Sequence, residues 1–332
     1  MSSPSFAVKF WGVRGSLPSP THPHQVEARL RHVVERFAND PKARADAAGF
    51  VASLPHEIRR GYGGNTACVE VHGVGESASQ RLIFDAGSGL RGLGESLMQS
   101  GYASEPRDTH LFFTHFHWDH LIGLPFFTPM FLKGQTVHLY AVQTDLEMCV
   151  RTIFKKPFFP VPFEALGAKI VFHKLEGRKK QQIEGFDVTP YQLDHPDPCW
   201  GYRVERGGKV YAHCVDTEAT RVTREDLGLD AALYENADLM LFDAQYTMME
   251  AVEKMNWGHS AAPIGLDIAL RENIKRVLFA HHDPGATDEK LVDAERQTRE
   301  YIVAYTEQQR RAGKVVREID WGFAREGEEI SL

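Results

Sequence analysis

The segment FFTHFHWDH, residues 112–120, carries metal-binding residue types directly after an apolar run. Three histidines and one aspartate stand within six positions, namely His115, His117, Asp119 and His120. If the preceding strand continues, its alternation places His115 and His117 on one face, while Asp119 and His120 face a second point as the chain turns. Imidazole and carboxylate ligands suit zinc, and also manganese or iron. The density of these residues favours a metal site over a set of core or helix-capping histidines.

Three further residues of the same types stand where predicted strands end. His195 lies in YQLDHPDP before two prolines. Asp216 lies at the end of a predicted strand in VYAHCVDTE, and His281 lies at the end of another in VLFAHHDP. A single strand-terminal His or Asp is usually a turn residue bound to the backbone. Together these residues complete two ligand sets, because one carboxylate can offer an oxygen to each of two cations. We expect a dinuclear centre in which Asp216 lies between two groups: His115, His117 and His195, and Asp119, His120 and His281.

Short segments rich in β-branched and aromatic residues predict the strands that must position these ligands. The predicted strands are residues 6–12, 67–73, 81–87, 109–115, 136–142, 168–174, 186–193, 201–205, 209–216, 238–245, 275–283 and 313–320. Apolar spacings of three and four predict a helix over 287–310, and the other helix candidates are 25–38, 89–100, 119–131, 144–154 and 261–272. Strands dominate the first two thirds of the chain and alternate with helices. This pattern favours two packed sheets with helices outside, a layered α/β fold, over a doubly wound parallel sheet.

We expect a single domain over residues 1–332, since no linker, internal repeat or low-complexity tract interrupts the sequence. Residues 18–60 are richer in charge and alanine than their surroundings, and we expect a helical insertion there. The acidic end REGEEISL is predicted to be a solvated tail.

Composition narrows the classes of partner. A formal net charge of −7 argues against a protein that wraps long nucleic acid. The N-terminal segment lacks the pattern of a signal peptide and no apolar run reaches the length of a membrane helix, so we expect a cytoplasmic protein without membrane contact. Four scattered cysteines, without Cys-x-x-Cys spacing, indicate neither a disulfide framework nor a cysteine-only zinc site.

The ligand residues and their flanking motifs resemble the metallo-β-lactamase superfamily. The likeness runs from FWGVRGSLPSP through GYGGNTACVEV, LIFDAGSGLRGLG and THFHWDHLIGLPFF to LFAHHDP, and so covers nearly the whole chain. It implies a four-layer αββα sandwich, with two mixed sheets flanked by helices and a dinuclear site along one edge of the sheets. The implied cofactors are two divalent metal ions, with Zn²⁺ favoured and Mn²⁺ or Fe²⁺ as alternatives.

Two further motifs resemble the phosphodiesterase branch of this superfamily, which includes tRNA 3′-processing endonucleases and small cyclic-phosphate phosphodiesterases. They are LFDAQYT, residues 241–247, and GHSAAPIGLDIA, residues 258–269. This chain has Ala261 where the branch usually has threonine after Gly-His-Ser, and Asp243 where the branch usually has glutamate. It also lacks a Gly/Pro-rich extension of the kind that grips the tRNA elbow, which disfavours tRNA as the substrate.

The resemblance implies phosphodiester hydrolysis. Two ions about 4 Å apart share a water and lower its pKa towards neutrality, so that a bridging hydroxide becomes the nucleophile. Asp119 is expected to be both a ligand and a catalytic residue of this centre. His259 is the candidate acid that protonates the leaving alkoxide, and Asp243 is expected to fix its tautomer and keep it protonated. In the alternative interpretation, His259 is simply the residue before a helix.

Arg14 in GVRGS and Asn65 with Thr66 in GYGGNT are the candidate substrate-binding residues, since they could donate hydrogen bonds to phosphate oxygens. The glycines of the second motif fit a close backbone approach and an ordinary turn equally well. We expect a small nucleotide-type substrate such as a cyclic nucleotide, with an RNA end as the alternative. Superfamily relatives are often homodimers, and this resemblance is the ground for considering a homodimer here.

Other activities use the same kind of ligands. A carboxylic ester, thioester or lactone hydrolase is the main alternative, although Asp243 and His259 argue against it. β-Lactamase activity is disfavoured because no cysteine stands at the position of a zinc ligand, and di-iron redox chemistry is disfavoured because His117 replaces a glutamate. A non-catalytic binding module is the third alternative, but such a protein would be expected to have lost ligands, whereas all seven are present.

Overall fold

A computed structural model of the chain describes residues 5–332 and shows how these segments pack. In chain order the strands are β1 (Phe6–Gly12), β2 (Cys68–Gly73), β3 (Arg81–Phe84), β4 (Asp108–Phe112), β5 (Thr136–Ala141), β6 (Lys169–Lys174), β7 (Gln181–Ile183), β8 (Phe186–Gln192), β9 (Trp200–Arg206), β10 (Lys209–Cys214), β11 (Leu239–Asp243), β12 (Arg276–Ala280), β13 (Asp320–Phe323) and β14 (Glu329–Ser331). The helices are α1 (Pro23–Asn39), α2 (Ala47–Ser53), α3 (His56–Arg59), α4 (Gly89–Gln99), α5 (Leu146–Ile153), α6 (Arg224–Leu227), α7 (Met248–Glu253), α8 (Ala262–Arg271) and α9 (Asp288–Arg311).

The strands form two seven-stranded sheets with the same pairing pattern. The first sheet has the order β14-β1-β2-β3-β4-β5-β6, and the second has the order β13-β12-β11-β10-β9-β8-β7. In the first sheet β1 pairs antiparallel with β14 and β2, β2 pairs antiparallel with β3, and the pairs from β3 to β6 are parallel. In the second sheet the pairs from β7 to β10 are antiparallel and those from β10 to β13 are parallel. Strands β3 and β4 therefore end at one edge of their sheet, and β8, β10, β11 and β12 end at one edge of theirs.

Three apolar clusters separate four layers. One cluster packs α4 and α5 against the first sheet through side chains such as Leu93 and Val150. A second lies between the sheets and contains Phe84 and Tyr202. The third packs α8 and α9 against the second sheet. The predicted αββα sandwich of two mixed sheets flanked by helices is confirmed.

Helix α9 shows how local sequence sets these boundaries. Its N-cap is Thr287, whose hydroxyl accepts a hydrogen bond from the backbone N–H of Lys290 at 3.3 Å. Acidic residues occupy its first turn and basic residues its last turn, which complements the helix dipole. Helices α1, α2 and α3 lie between β1 and β2, in the region of the predicted insertion, and each residue of α1 is at least partly exposed. The single-domain organisation stays a prediction.

Three sequence-based element predictions are wrong. Residues 119–131 do not form an α-helix, and short 3₁₀ turns cover 118–120, 124–126 and 128–131 instead. The backbone of Gly123 packs against another loop, and two prolines interrupt the hydrogen-bonding pattern of a helix. The strand predicted at 313–320 begins only at Asp320. The supposed C-terminal tail contains β14, which pairs with the edge of β1. Within the described residues, every helix is too short or too polar to span a membrane.

A histidine stack lies on the inner face of the first sheet, away from the ends of β3 and β4. His110 and His138 are cross-strand partners whose rings stack at 4.8 Å between centroids. His110 Nδ1 lies 3.0 Å from the Tyr140 hydroxyl, and its Nε2 lies 3.5 Å from Glu184. Burial, and next the charge of His138, lower the pKa of His110 to about 4, although Asp108 opposes this shift. His110 therefore resists protonation in the folded state.

This shift predicts a loss of stability in acid. The pKa of His110 is lower in the folded state than the ordinary value of about 6.5. Between pH 6.5 and 4 the unfolded chain therefore binds more protons than the folded chain. The free energy of unfolding decreases as the pH is lowered through that window. We expect His110→Gln to lose about 1 kcal/mol less stability than wild type between pH 7 and pH 5. Urea unfolding at the two pH values measures this difference.

The matched control is His32→Gln, at an exposed position of α1. It should follow the wild-type pH dependence. If His110→Gln and wild type lose equal stability on acidification, His110 does not carry the effect.

Candidate metal centre

The first predicted ligand group is brought together by β4, which precedes two of its histidines, and by β8, which precedes the third. Ring centroids are separated by 4.3 Å for His115 and His117, 4.9 Å for His115 and His195, and 5.0 Å for His117 and His195. One nitrogen from each ring lies within 4.8 Å of the others. His117 directs Nδ1 towards His195 Nε2 at 3.4 Å, while its Nε2 lies 2.8 Å from Asp197. The three rings thus face one point.

The first two histidines do not lie on a strand, contrary to the prediction, because β4 ends before them. A loop tied to both sheets carries them instead. The backbone N–H of Thr114 donates to Asp85 at 2.9 Å, and the hydroxyl of Tyr202 on β9 donates at 2.6 Å to the carbonyl oxygen that precedes Thr114. The rings of His115 and His117 converge because this loop is fixed at its start.

The second predicted ligand group lies beside the first. His120 Nε2 is 3.2 Å from Asp119 and 3.0 Å from Asp216, and His281 Nε2 is 3.1 Å from Asp216 and 3.7 Å from Asp119. Asp216 also lies 3.9 Å from His115 Nε2. Asp216 therefore lies between the two groups.

Several of these ligand atoms are buried and have no hydrogen bond within residues 5–332. They are Nε2 of His115, His120 and His281, and Oδ2 of Asp216. His120 Nε2 and Asp216 Oδ2 are close together, but their geometry is not that of a hydrogen bond. Leaving a buried polar atom unpartnered costs about 1–3 kcal/mol. Imidazole nitrogens and carboxylate oxygens in such a cluster fit divalent metal ions.

The charges of the second group balance one another. Burial would raise the pKa of Asp216, but His281, His120 and His115 hold it well below its usual range. Burial would likewise lower the pKa of His120, but Asp119, Asp216 and Asp85 raise it well above its usual value. A divalent cation bound here would take over the role of the imidazolium proton in balancing the carboxylates.

Two residues behind the ligands were missed by the sequence analysis. Asp85, just after β3, places Oδ2 at 2.9 Å from His120 Nδ1. His213 on β10 lies 3.6 Å from the same carboxylate oxygen and hydrogen-bonds through Nδ1 with the Tyr211 hydroxyl at 2.8 Å. Such contacts fix the tautomer of a metal-binding histidine and the direction of its ring. The strand-terminal aspartate in LIFDAG was the available sequence signal for Asp85.

Three site residues adopt left-handed backbone conformations near the ends of strands: Asp85 and His281 directly follow β3 and β12, and Asp216 is the second residue after β10. The φ angles are 63° for Asp85, 58° for Asp216 and 62° for His281. Each such residue costs on the order of 1–3 kcal/mol unless its surroundings impose the conformation. The strain lies at the strand ends that deliver side chains to the site, so the direction of these side chains is maintained at a cost in backbone energy.

His259 and Asp243 form a hydrogen-bonded pair next to the ligands. His259 Nδ1 lies 2.9 Å from Asp243 Oδ2, and Asp243 Oδ1 accepts from the backbone N–H of Ser260 at 3.1 Å. The His259 ring stacks on His281 at 4.9 Å between centroids. Burial would lower the pKa of His259, but Asp243 raises it to about 9, with a smaller contribution from Asp216.

The predicted substrate contacts hold loops in place. Arg14 is buried and donates from Nε to Gly63 at 2.9 Å and from Nη1 to Ala286 at 2.8 Å. Asn65 Nδ2 donates to the Glu326 carboxylate at 2.7 Å. Thr66 donates its hydroxyl to the backbone oxygen of Asp119 at 2.8 Å. These three residues lie outside the group that lines the cavity at the metal centre.

A cavity of about 320 Å³ opens over the ligands. Its lining residues come from both sheets and from the loop after β1: Ser16, Phe116, His117, Trp118, Asp119, Asp216, His259 and His281. The backbone N–H of Ser16 donates to Asp119 Oδ2 at 2.8 Å, which fixes that carboxylate. The cavity thus combines metal-ligand atoms, an imidazole with an acidic partner, and aromatic surface.

The family comparison agrees with this architecture. A family model described as beta-lactamase superfamily domain matches residues 80–282, which is more than half of the chain. The chain belongs to the beta-lactamase superfamily. The resemblance predicted from the sequence is confirmed.

Two curated relatives of this superfamily member are Ribonuclease Z proteins. The protein of Pyrococcus abyssi is 26% identical over 125 residues, covering 36% of this chain and 37% of that protein. The protein of Gemmatimonas aurantiaca is 24% identical over 253 residues, covering 61% of this chain and 76% of that protein. The chain thus spans little more than a third of the length of the Pyrococcus relative.

Solved structures of the superfamily show the same fold. Yeast PDE1 without ligand has a TM-score of 0.64 at 14% identity, covering 99% of this chain and 100% of that chain. A diphosphatase from the PhnP family has a TM-score of 0.58 at 17% identity, covering 98% of both chains. The short form of human tRNase Z has a TM-score of 0.56 at 18% identity, also covering 98% of both chains.

We expect Asp85→Asn to weaken metal binding in this superfamily member by about 10- to 100-fold, because His120 loses the carboxylate that orients its ring and raises its basicity. Competition for Zn²⁺ with a chelating indicator measures the change. Asp293→Asn, on the exposed surface of α9, is the matched control and should bind metal like wild type. An unchanged affinity in Asp85→Asn, with lower thermal stability, would show that Asp85 acts on folding alone.

Proposed function

We propose that the chain is a dinuclear metal-dependent phosphodiesterase that hydrolyses a nucleotide-type substrate. The observation that carries the proposal is the His259–Asp243 pair: His259 lines the same cavity as four candidate metal ligands, and Asp243 is hydrogen-bonded to its ring. His115, His117 and His195 would hold one ion, and Asp119, His120 and His281 would hold the other. Asp216 would contact both. Zn²⁺ is the favoured metal, with Mn²⁺ and Fe²⁺ as alternatives, since all these donors are nitrogen or oxygen.

When bound, two divalent ions activate a water for attack and neutralise charge on the phosphoryl group. The protein then has to hold the diester in line and protonate the leaving oxygen. His259 is suited to protonating that oxygen, because Asp243 engages its Nδ1 and leaves the Nε2–H free to donate. Burial opposes the charged form of His259, but its hydrogen bond with Asp243 raises its pKa and favours the protonated ring. Asp243 also fixes the ring through its own backbone contacts.

A small nucleotide is the first choice of substrate, and an RNA end is the second. The Ribonuclease Z relatives support phosphodiester chemistry. The net charge of −7 and a cavity of about 320 Å³ favour a ligand of mononucleotide size over a long nucleic acid. Arg14, Asn65 and Thr66 are proposed to shape the loops around the cavity rather than to bind the phosphate directly, because their donors already have partners in the protein. Cytoplasmic location, a single domain and a homodimer stay predictions.

The test is turnover of bis(p-nitrophenyl) phosphate, a panel of cyclic nucleotides and a thioester, with Zn²⁺ or Mn²⁺ added. His117→Ala should abolish phosphodiester turnover because one ion loses a ligand. His259→Ala should lower kcat for cyclic nucleotides by about 10²- to 10⁴-fold. Its effect on bis(p-nitrophenyl) phosphate should be smaller, since p-nitrophenolate leaves readily without a proton.

The matched control is His32→Ala, at an exposed position of α1, which should retain wild-type rates. Equal losses for both leaving groups in His259→Ala would argue against an acid role for His259. Thioester hydrolysis without phosphodiester hydrolysis would replace the proposed activity with acyl-ester chemistry.

A further inference from the structure

The cavity at the metal centre is lined by two chemically different sets of residues. One set is the candidate metal ligands and His259, which suit an anionic group. The other set, called the aromatic wall, is Phe116 and Trp118. A ligand that joins an anionic group to a flat apolar ring is complementary to both sets. A nucleotide has this composition, whereas a simple sugar phosphate or alkyl phosphate lacks the ring.

Trp118 is unusual in its exposure. Its side chain is 61% exposed, next to His117, which is also exposed, and to Asp119, which is buried. Its backbone is held in place: the carbonyl oxygen accepts hydrogen bonds from Leu121 at 3.0 Å and from Ile122 at 2.8 Å. Because this backbone is held by hydrogen bonds, stacking of the ring on a ligand mainly restricts the side-chain rotamers of Trp118.

Phe116 connects the aromatic wall to the apolar core. It is partly buried and packs against the apolar cluster under the first sheet, with its ring 6.3 Å from that of Phe113. The aromatic wall is thus continuous with the core at Phe116 and free at Trp118. The free ring stands where a ligand in the cavity would meet it.

We propose that Trp118 is the stacking surface for the nucleobase of the substrate and gives the site its preference for nucleotides over base-free phosphates. This inference rests on the proposed function for the placement of the phosphate at the metal centre. Stacking on an aromatic side chain tolerates every base, because each base has a π-face. The structure therefore assigns selectivity for the presence of a base and not for its identity.

The test compares AMP with ribose 5-phosphate, which share the phosphate and the sugar and differ by the base. Binding to the Zn²⁺-loaded protein is measured by calorimetry, or by ligand-observed NMR where affinity is weak, so that no turnover is required. Wild type should bind AMP more tightly than ribose 5-phosphate by about 5- to 100-fold, the range expected for stacking of one base. Trp118→Ala should remove most of this preference and leave ribose 5-phosphate binding unchanged. Trp118→Phe should retain much of it.

The matched control is Trp257→Ala. Trp257 is 64% exposed and lies outside the residues that line the cavity, so its removal should preserve the preference for AMP. Equal affinity for the two ligands in wild type, failure of both to bind, or equal effects of Trp118→Ala and Trp257→Ala would overturn the proposal. A preference for AMP that depends on Trp118 in a protein without phosphodiesterase activity would uphold stacking and reject the proposed reaction. Turnover of cyclic nucleotides with no preference for AMP would uphold the proposed reaction and reject stacking on Trp118.

Discussion

The site depends on one constraint: the ends of β3 and β4 in the first sheet must lie next to the ends of β8, β10, β11 and β12 in the second sheet. Aromatic packing between the sheets supports it: the ring of Phe84 on the first sheet lies 5.3 Å from that of Tyr202 on the second. Tyr202 also donates its hydroxyl to the backbone just before Thr114. The same buried side chain therefore sets the spacing of the sheets and the path of the loop that carries His115 and His117. A change in sheet packing would move ligands from both sheets relative to one another.

One arrangement of carboxylate and imidazole occurs twice at the site. Asp85 engages Nδ1 of His120, and Asp243 engages Nδ1 of His259, so a buried carboxylate directs the opposite nitrogen of each ring towards the cavity side. For His120 that nitrogen lies among carboxylates, 3.2 Å from Asp119 and 3.0 Å from Asp216, where it suits a metal. In the proposed mechanism the same arrangement leaves Nε2 of His259 available to protonate a leaving group. The two proposed roles thus depend on the surroundings of Nε2 and not on the histidine itself.

Local sequence was sufficient for most strands and for the grouping of the ligand residues, because alternation and residue type are properties of short segments. Strand β14 was missed since its pairing depends on the free edge of β1, at the other end of the chain. Asp85 was missed because its importance comes from His120, in the turn that follows β4, and from His213 on β10. For Arg14 the sequence indicated a strong donor but could not show that backbone carbonyl groups already occupy it.

The left-handed conformations at Asp85, Asp216 and His281 narrow the set of side chains that these positions can accept. Aspartate, asparagine and histidine enter this region of φ and ψ more readily than other residues with a side chain. The side chains are also needed for their polar atoms: Asp216 and His281 are candidate metal ligands, and the carboxylate of Asp85 contacts His120 Nδ1. Glycine would relieve the backbone but remove these atoms, and a longer acid such as glutamate would keep the charge but suit the turn less well. Substitutions at these three positions are therefore limited both by the backbone conformation and by the need for a carboxylate or an imidazole.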